Sequence, residues 1–200
     1  MSCLLQYRQG FFMTKYTYMK DYIRSSIKKI NAWLSKRGYG LYMSKLPTVE
    51  DEVDLDRKIV FISTRSSPQN QLYSLLHECG HIVIRSRKDY DTRYAAAIAY
   101  TEGNKKPSMR GLVEEIEEEI LAWREGQILA KKLEIFVEEQ SYYRYSSRWV
   151  MSYIVRASVG REHLFPVTND KEKKEKDKGL PIQLSLLDLI DKKDSSEDGA

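Results

Sequence analysis

The spacing of apolar residues predicts an α+β fold, in which a small antiparallel sheet packs on one apolar helix, further helices surround it and a charged tail follows. Three observations predict it. Helical periodicity runs through Asp21 to Lys36 and again through Gly111 to Gln140, and three short strand-like segments follow the first of these. The segment from Leu72 to Ile84 is so apolar that it reads as a buried helix.

In the first helix Tyr22, Ile23, Ile27, Ile30, Trp33 and Leu34 form the apolar stripe, and Arg37-Gly38 closes it. Residues 1–20 read as an N-terminal extension; Met13 offers an alternative start that would leave the first twelve residues unstructured. Tyr39 to Ser44, Val49 to Leu55 and Lys58 to Ser63 read as strands of an antiparallel meander, with turns at Leu46-Pro47 and Asp56-Arg57. Ser66, Ser67 and Pro68 mark the turn into the central helix. Between the central and later helices, Tyr94 to Tyr100 reads as a short helix or lid. A length of 200 residues and a hydrophobic fraction of 42% suit one domain, here 21–165, with a core of its own.

Residues 77 to 81 read His77-Glu78-Cys79-Gly80-His81. On a helix, histidines at i and i+4 lie one above the other and can reach one divalent ion, while Glu78 stands beside the open position and can take a proton from bound water. The bland reading is a core helix with two ordinary histidines, but unpaired polar groups in so apolar a run would cost roughly 1–3 kcal/mol each. Such a site needs a third protein ligand. His163 is the remaining histidine and lies where the folded body ends. On the later helix Leu112, Ile116, Ile120, Trp123, Ala130 and Val137 fall on one side, and most of the acids among Glu114, Glu115, Glu117, Glu118 and Glu119 point away from it. Glu119 lies close to the stripe's centre. Paired to an Arg or Lys it would be structural; beside a two-His helix it is the candidate ligand, with Glu115 in reserve.

His77-Glu78-Cys79-Gly80-His81 followed by Glu119-Ile120-Leu121-Ala122-Trp123 resembles the Glu-zincin metallopeptidases, and within them the ImmA/IrrE-type peptidases, from about Asp21 to about Gln140. The resemblance implies a zincin-like fold and zinc held by His77, His81 and Glu119, with Glu78 as general base. It also implies a protein substrate, such as a repressor, and places the free edge of the Ile59-Val60-Phe61-Ile62 strand beside the cleft, where an extended substrate pairs by backbone. After Ala122 the chain reads Trp123-Arg124-Glu125-Gly126 where that family carries Asn-x-x-Phe-Ala. An oxyanion-stabilising donor is unassigned; Tyr142, Tyr143, Tyr145, Arg144 and Arg148 are the candidates, with packing as their alternative role. Cys79 points away from the metal on helical geometry and reads as a small buried apolar residue.

From Pro166 onward seven lysines and nine acids leave the 166–200 tail at −2 and the body at +6, out of a net +4. Such an excess permits nucleic-acid contact without requiring it, even with Lys28, Lys29, Lys36 and Arg37 on the first helix, and nothing resembles a base-reading module. The apolar island 180–190 reads as a docking segment: Gln183, Leu184, Ser185, Leu186 and Leu187 resemble the glutamine-led motif that binds the replication sliding clamp. The same island could instead fold back on the body. Cys3 and Cys79 make no disulfide framework, no apolar run reaches the roughly 20 residues of a membrane span, and no signal peptide is evident, so a cytoplasmic location is expected.

These features join in an expected zinc-dependent endopeptidase, with zinc-bound water as nucleophile, acting on an intracellular protein or peptide. Two alternatives stand beside it: a clamp-recruited protease acting on DNA-bound or replication proteins, and a non-catalytic regulatory or binding module in which the metal is structural.

Overall fold

In the computed structural model residues 3–103 and 108–159 are described, with side chains from 18 to 99 and from 108 to 158. In chain order the elements are α1 (Cys3–Ser35), β1 (Gly40–Ser44), β2 (Glu52–Asp54), β3 (Ile59–Ser63), α2 (Pro68–Arg85), the single turn α3 (Tyr90–Arg93), α4 (Ala95–Gly103), α5 (Met109–Lys132) and α6 (Glu139–Val159). The α+β class holds. The helix read from Asp21 begins at Cys3 and ends at Ser35, and the turn after it closes as expected at Gly38, whose φ of 78° is a left-handed conformation that glycine adopts without penalty.

The sheet is mixed, not an antiparallel meander. Its order is β1-β3-β2, with β1 parallel to β3 (Tyr42 beside Phe61) and β2 antiparallel to it (Val53 beside Val60). Burial explains the order: in β3 Val60 and Ile62 are fully enclosed, so the most apolar strand takes the middle. Glu52-Val53-Asp54 is short and polar, which suits an edge. The strand read over Val49 to Leu55 shortens because both ends turn. Val49 N bonds Leu46 O at 3.1 Å, and Asp54 Oδ1 accepts from Arg57 N at 2.8 Å.

Helix α2 is the hub. Ser67 caps it, its side chain accepting from Asn70 N, and Pro68 occupies the first turn, where no amide hydrogen is needed. Every residue from Leu72 to Ile82 is buried. Ile23, Ile30 and Leu34 of α1, Val60 and Ile62 of β3, Leu129 and Ala130 of α5 and Tyr142 of α6 complete the core around it. Each large aliphatic side chain enclosed there contributes about 1.5–3 kcal/mol.

The stretch read as one helix from Gly111 to Gln140 divides in two. Glu134 has a φ of 53°, which ends α5, and Lys29 Nζ donates to the exposed carbonyls of Leu133 and Glu134 at 3.0 and 3.1 Å. The buried face of α5 also differs from the apolar stripe. Gly111, Glu114, Glu118, Glu119, Ala122, Trp123, Gly126, Leu129 and Ala130 are inside, while Leu112, Ile116 and Ile120 are half-buried on its flank. Small residues decide which face meets α2. A Cβ on Gly80 would come within 2.7 Å of the Ala122 carbonyl carbon, and one on Gly126 within 2.8 Å of that of Leu76. Backbone therefore meets backbone where α2 and α5 cross.

Candidate metal centre

That crossing brings the pentapeptide of α2 against the acidic run of α5. His77 Nε2 lies 3.2 Å from His81 Nε2 and 3.2 Å from Glu119 Oε2, and His81 Nε2 lies 3.5 Å from Glu119 Oε1. Donors held at about 2.0–2.2 Å around a tetrahedral ion stand roughly 3.3–3.6 Å apart, so the separations are close to those of a metal site. All three residues are buried, and together they form a group able to hold an ion. Glu119 Oε2 has no hydrogen-bond partner among the described residues despite its closeness to His77. A carboxylate and two imidazoles gathered out of solvent form a donor set that fits a cation when both rings offer their Nε2 lone pairs.

The neighbouring acids have other partners, each an arginine. Glu114 Oε1 accepts from Arg110 Nε at 2.7 Å while its other oxygen caps α4 through Ala96 N and Ala97 N at 2.8 and 3.0 Å. Glu115, the reserve ligand, pairs with Arg156 of α6, and Glu117 pairs with Arg93. Glu118 is buried and meets Arg85 Nε at 2.7 Å and the Tyr90 hydroxyl at 2.8 Å. The expectation that the acids other than Glu119 mostly face solvent is therefore corrected for Glu114 and Glu118. Arg85 at the end of α2 compensates Glu118, and Arg110 of α5 itself compensates Glu114.

Glu118 also reaches His81, 3.0 Å from Nδ1. Burial would raise its pKa, but His81 and Arg85 outweigh that and hold the carboxyl at about 2. An ionised carboxylate only accepts, so His81 carries its proton on Nδ1 and turns a bare Nε2 toward His77 and Glu119. The sequence reading missed this second carboxylate; the signal was its position one residue before the candidate ligand, with Arg85 one turn of α2 beyond His81. His77 is fixed differently. Its ring stacks on Trp123, with centroids 4.1 Å apart and planes 16° from parallel, which gives the departure from Asn at 123 a packing role.

Glu78 is buried, with Oε1 3.9 Å from His77 Nε2. Burial raises its pKa, Glu119 and Asp51 add to the rise and the two imidazoles oppose it, so the group moves toward the neutral range where a general base works. Burial would raise Glu119 as well, but His77, His81 and the Tyr153 hydroxyl hold it below its ordinary value. His81 is raised: burial alone would lower it, and Glu118 and Glu119 prevail.

Among the donors considered for an oxyanion, Tyr142 gives its hydroxyl to Trp123 O at 2.9 Å, Tyr145 shares a bond with Ser74 at 3.0 Å, and Tyr143 faces Gln127 and Glu139 at 3.3 Å. Arg144 and Arg148 are exposed. Tyr153, further along α6, acts electrostatically on Glu119. Cys79 is enclosed in the core, where burial pushes its thiol well up, as its small apolar role requires. The cleft strand needs correcting: β3 has neighbours on both sides, so its edge is not free; β1 and β2 are the edges, and Asp51 just before β2 is among the charges that act on Glu78. His163 and the docking residues Gln183, Leu184, Leu186 and Leu187 lie outside the described residues.

Residues 28–104 match a peptidase family described as the IrrE N-terminal-like domain. Over that stretch the chain is ImmA/IrrE-like. No curated protein and no solved structure matches the chain. The IrrE-like stretch contains the whole pentapeptide but ends before α5, so Glu118, Glu119 and Tyr153 belong to the part beyond the match. No helix among the described residues is long and apolar enough to cross a membrane.

Proposed function

We propose that the protein is a zinc-dependent endopeptidase in which His77, His81 and Glu119 hold the metal and Glu78 is the general base. The observation that carries this reading is the convergence of the two imidazole Nε2 atoms, 3.2 Å apart, on the Glu119 carboxylate, whose two oxygens lie 3.2 and 3.5 Å from them, with the Glu78 carboxylate beside them. Zinc bound there would supply an activated water and polarise the substrate carbonyl. Glu78 accepts the water's proton and delivers it to the leaving amine, its raised pKa suiting both transfers. Glu118 keeps His81 in the tautomer that offers Nε2, and Trp123 keeps the His77 ring in plane. An extended protein segment would lie along β2, an edge strand that follows Asp51.

A structural metal needs a closed set of four protein ligands, and three are gathered among the described residues, with Cys79 turned into the core. That favours the catalytic reading over a metal-stabilised binding module. Recruitment to a sliding clamp through Gln183 to Leu187 is a separate proposal, tested by whether a peptide of residues 180–191 captures the clamp better than its scrambled form. The test of the enzyme is zinc content and cleavage of an unfolded labelled protein. Wild type should carry about one zinc per chain and cut; Glu78→Gln should keep the zinc and lose cleavage by about 10²-fold or more. A Glu78→Gln variant that cuts normally removes Glu78 as the base.

A further inference from the structure

We infer that the N-terminal half of α1 is an interaction surface, pairing antiparallel with the same half of a second copy of this chain, independently of the endopeptidase reading. Helix α1 runs from Cys3 to Ser35, yet among its described side chains Tyr22 is the first to pack on the core, with Ile23, Ile30 and Leu34 following it. The stretch before Tyr22 extends roughly 28 Å at 1.5 Å per residue. A helix of that length standing alone is marginal in water, because its hydrogen bonds scarcely offset the cost of nucleation, so a second surface is needed against it.

The sequence of this half says on which side that surface lies. Counting in sevens puts Leu5, Phe12 and Met19 in one row, which Ser26 continues, and Gln9 and Tyr16 in a second, which Ile23 and Ile30 continue. Ile23, Ser26 and Ile30 are buried in the body. The row that builds the core therefore runs on past it for more than two heptads, where it has nothing of the body to meet. Met19 is already 47% exposed. Where α1 leaves the body the Tyr22 hydroxyl reaches the Phe136 carbonyl at 3.2 Å, and the Phe136 side chain is 72% exposed, which widens the apolar surface at the base of the arm.

A seven-residue repeat is matched by another helix, since two helices that supercoil keep such rows in register. The same arm of a second copy supplies one of equal length. Two aromatic side chains burying about 150–250 Å² each, with Leu5 and Met19, bring each arm to several hundred Å², near the roughly 800 Å² per partner of a stable interface. Charge chooses the direction. From Cys3 to Lys20 the arm carries Arg8, Lys15 and Lys20 and no acid. A parallel pair would set Arg8 against Arg8 and Lys15 against Lys15. An antiparallel pair centred on Phe12 sets Arg8 opposite Tyr16, Lys15 opposite Gln9 and Leu5 opposite Met19, with Phe12 meeting its own copy on the two-fold axis.

The test is the mass of the full chain in solution by light scattering at tens of micromolar, for wild type, Phe12→Lys and Gln6→Lys, with zinc affinity measured by chelator competition. Wild type and Gln6→Lys, whose change lies on the far side of the helix, should have twice the mass of one chain. Phe12→Lys should have the mass of one, with zinc affinity unchanged because the arm lies outside the core. A monomeric wild type overturns the inference, and its capture by anionic lipid vesicles would give the arm a membrane surface instead. So does a dimeric Phe12→Lys, which would place the interface elsewhere. Mild oxidation reads the direction: antiparallel arms hold the two Cys3 residues at opposite ends, and a covalent Cys3 dimer would overturn that arrangement.

Discussion

Replacing Gly80 by alanine should damage the metal centre without touching a ligand. The added Cβ would stand 2.7 Å from the Ala122 carbonyl carbon and 3.0 Å from its Cα, with the carbonyl oxygen nearer still. These are backbone atoms of a helix, so no side chain can swing away. To regain an ordinary 3.4 Å contact with that carbon, α2 and α5 must part by roughly 0.7 Å or more. Glu119 lies one turn before Ala122, so it moves with α5, whereas His77 and His81 stay on α2. Metal sites tolerate about 0.2 Å in ligand distance, and the triangle would open well beyond that. Overpacking of this kind costs about 3 kcal/mol at the upper end of its range, offset by about 1 kcal/mol of helix propensity that alanine gains over glycine. A net loss of about 2 kcal/mol should lower Tm by roughly 4–8 °C in a domain of this size. Thermal unfolding of the metal-free protein reads the first effect, and chelator competition reads the second, with zinc binding expected to weaken about tenfold or more. A variant with Tm equal to or above wild type and undiminished zinc affinity would refute the reasoning, because propensity alone predicts stabilisation.

Glu118→Gln should weaken zinc binding by about 10–100-fold by isothermal titration, since His81 loses the acceptor that sets its tautomer, while Glu117→Gln on the exposed face should leave it unchanged. Glu118 also makes a pH prediction. Its pKa falls from 4.5 to about 2 on folding, so its stabilisation is fully present above about pH 4.5 and is lost as pH falls toward 2. The contribution is on the order of 3 kcal/mol, and urea unfolding of the metal-free protein should show an acid loss in wild type that is blunted in Glu118→Gln. Zinc at a hundred times its dissociation constant should stabilise the wild type by about 2.7 kcal/mol, and a chelator should reverse it; a melting curve indifferent to zinc would contradict a resident metal.

Legibility in the sequence followed how local each signal was. The pentapeptide and its burial were readable because both depend on residues within a few turns of one helix. Glu119 was readable as a candidate because it stood out against the apolar residues around it. Glu118 was not, since its burial depends on Arg85 and Tyr90, which arrive from another part of the chain. Tyr153 was missed because the segment after Gln140 was not read as a helix; the positive φ at Glu134 that separates α5 from it has no strong residue signature. The strand order failed for a related reason. Turn residues between consecutive strands suggest a meander, but β3 is the strand with the most to bury and the core claims it for the middle.

What the chain's own residues determined is the chemistry on offer: two imidazoles and a carboxylate on one apolar helix, which side-chain types and a period of 3.6 settle without reference to the rest of the molecule. Tertiary structure decided which acid turns toward the imidazoles and which are neutralised by arginine. That choice is made by the crossing at Gly80 and Gly126, where the absence of a Cβ lets two backbones come close enough for Glu119 to face His77 and His81, a contact between helices that no local pattern can encode.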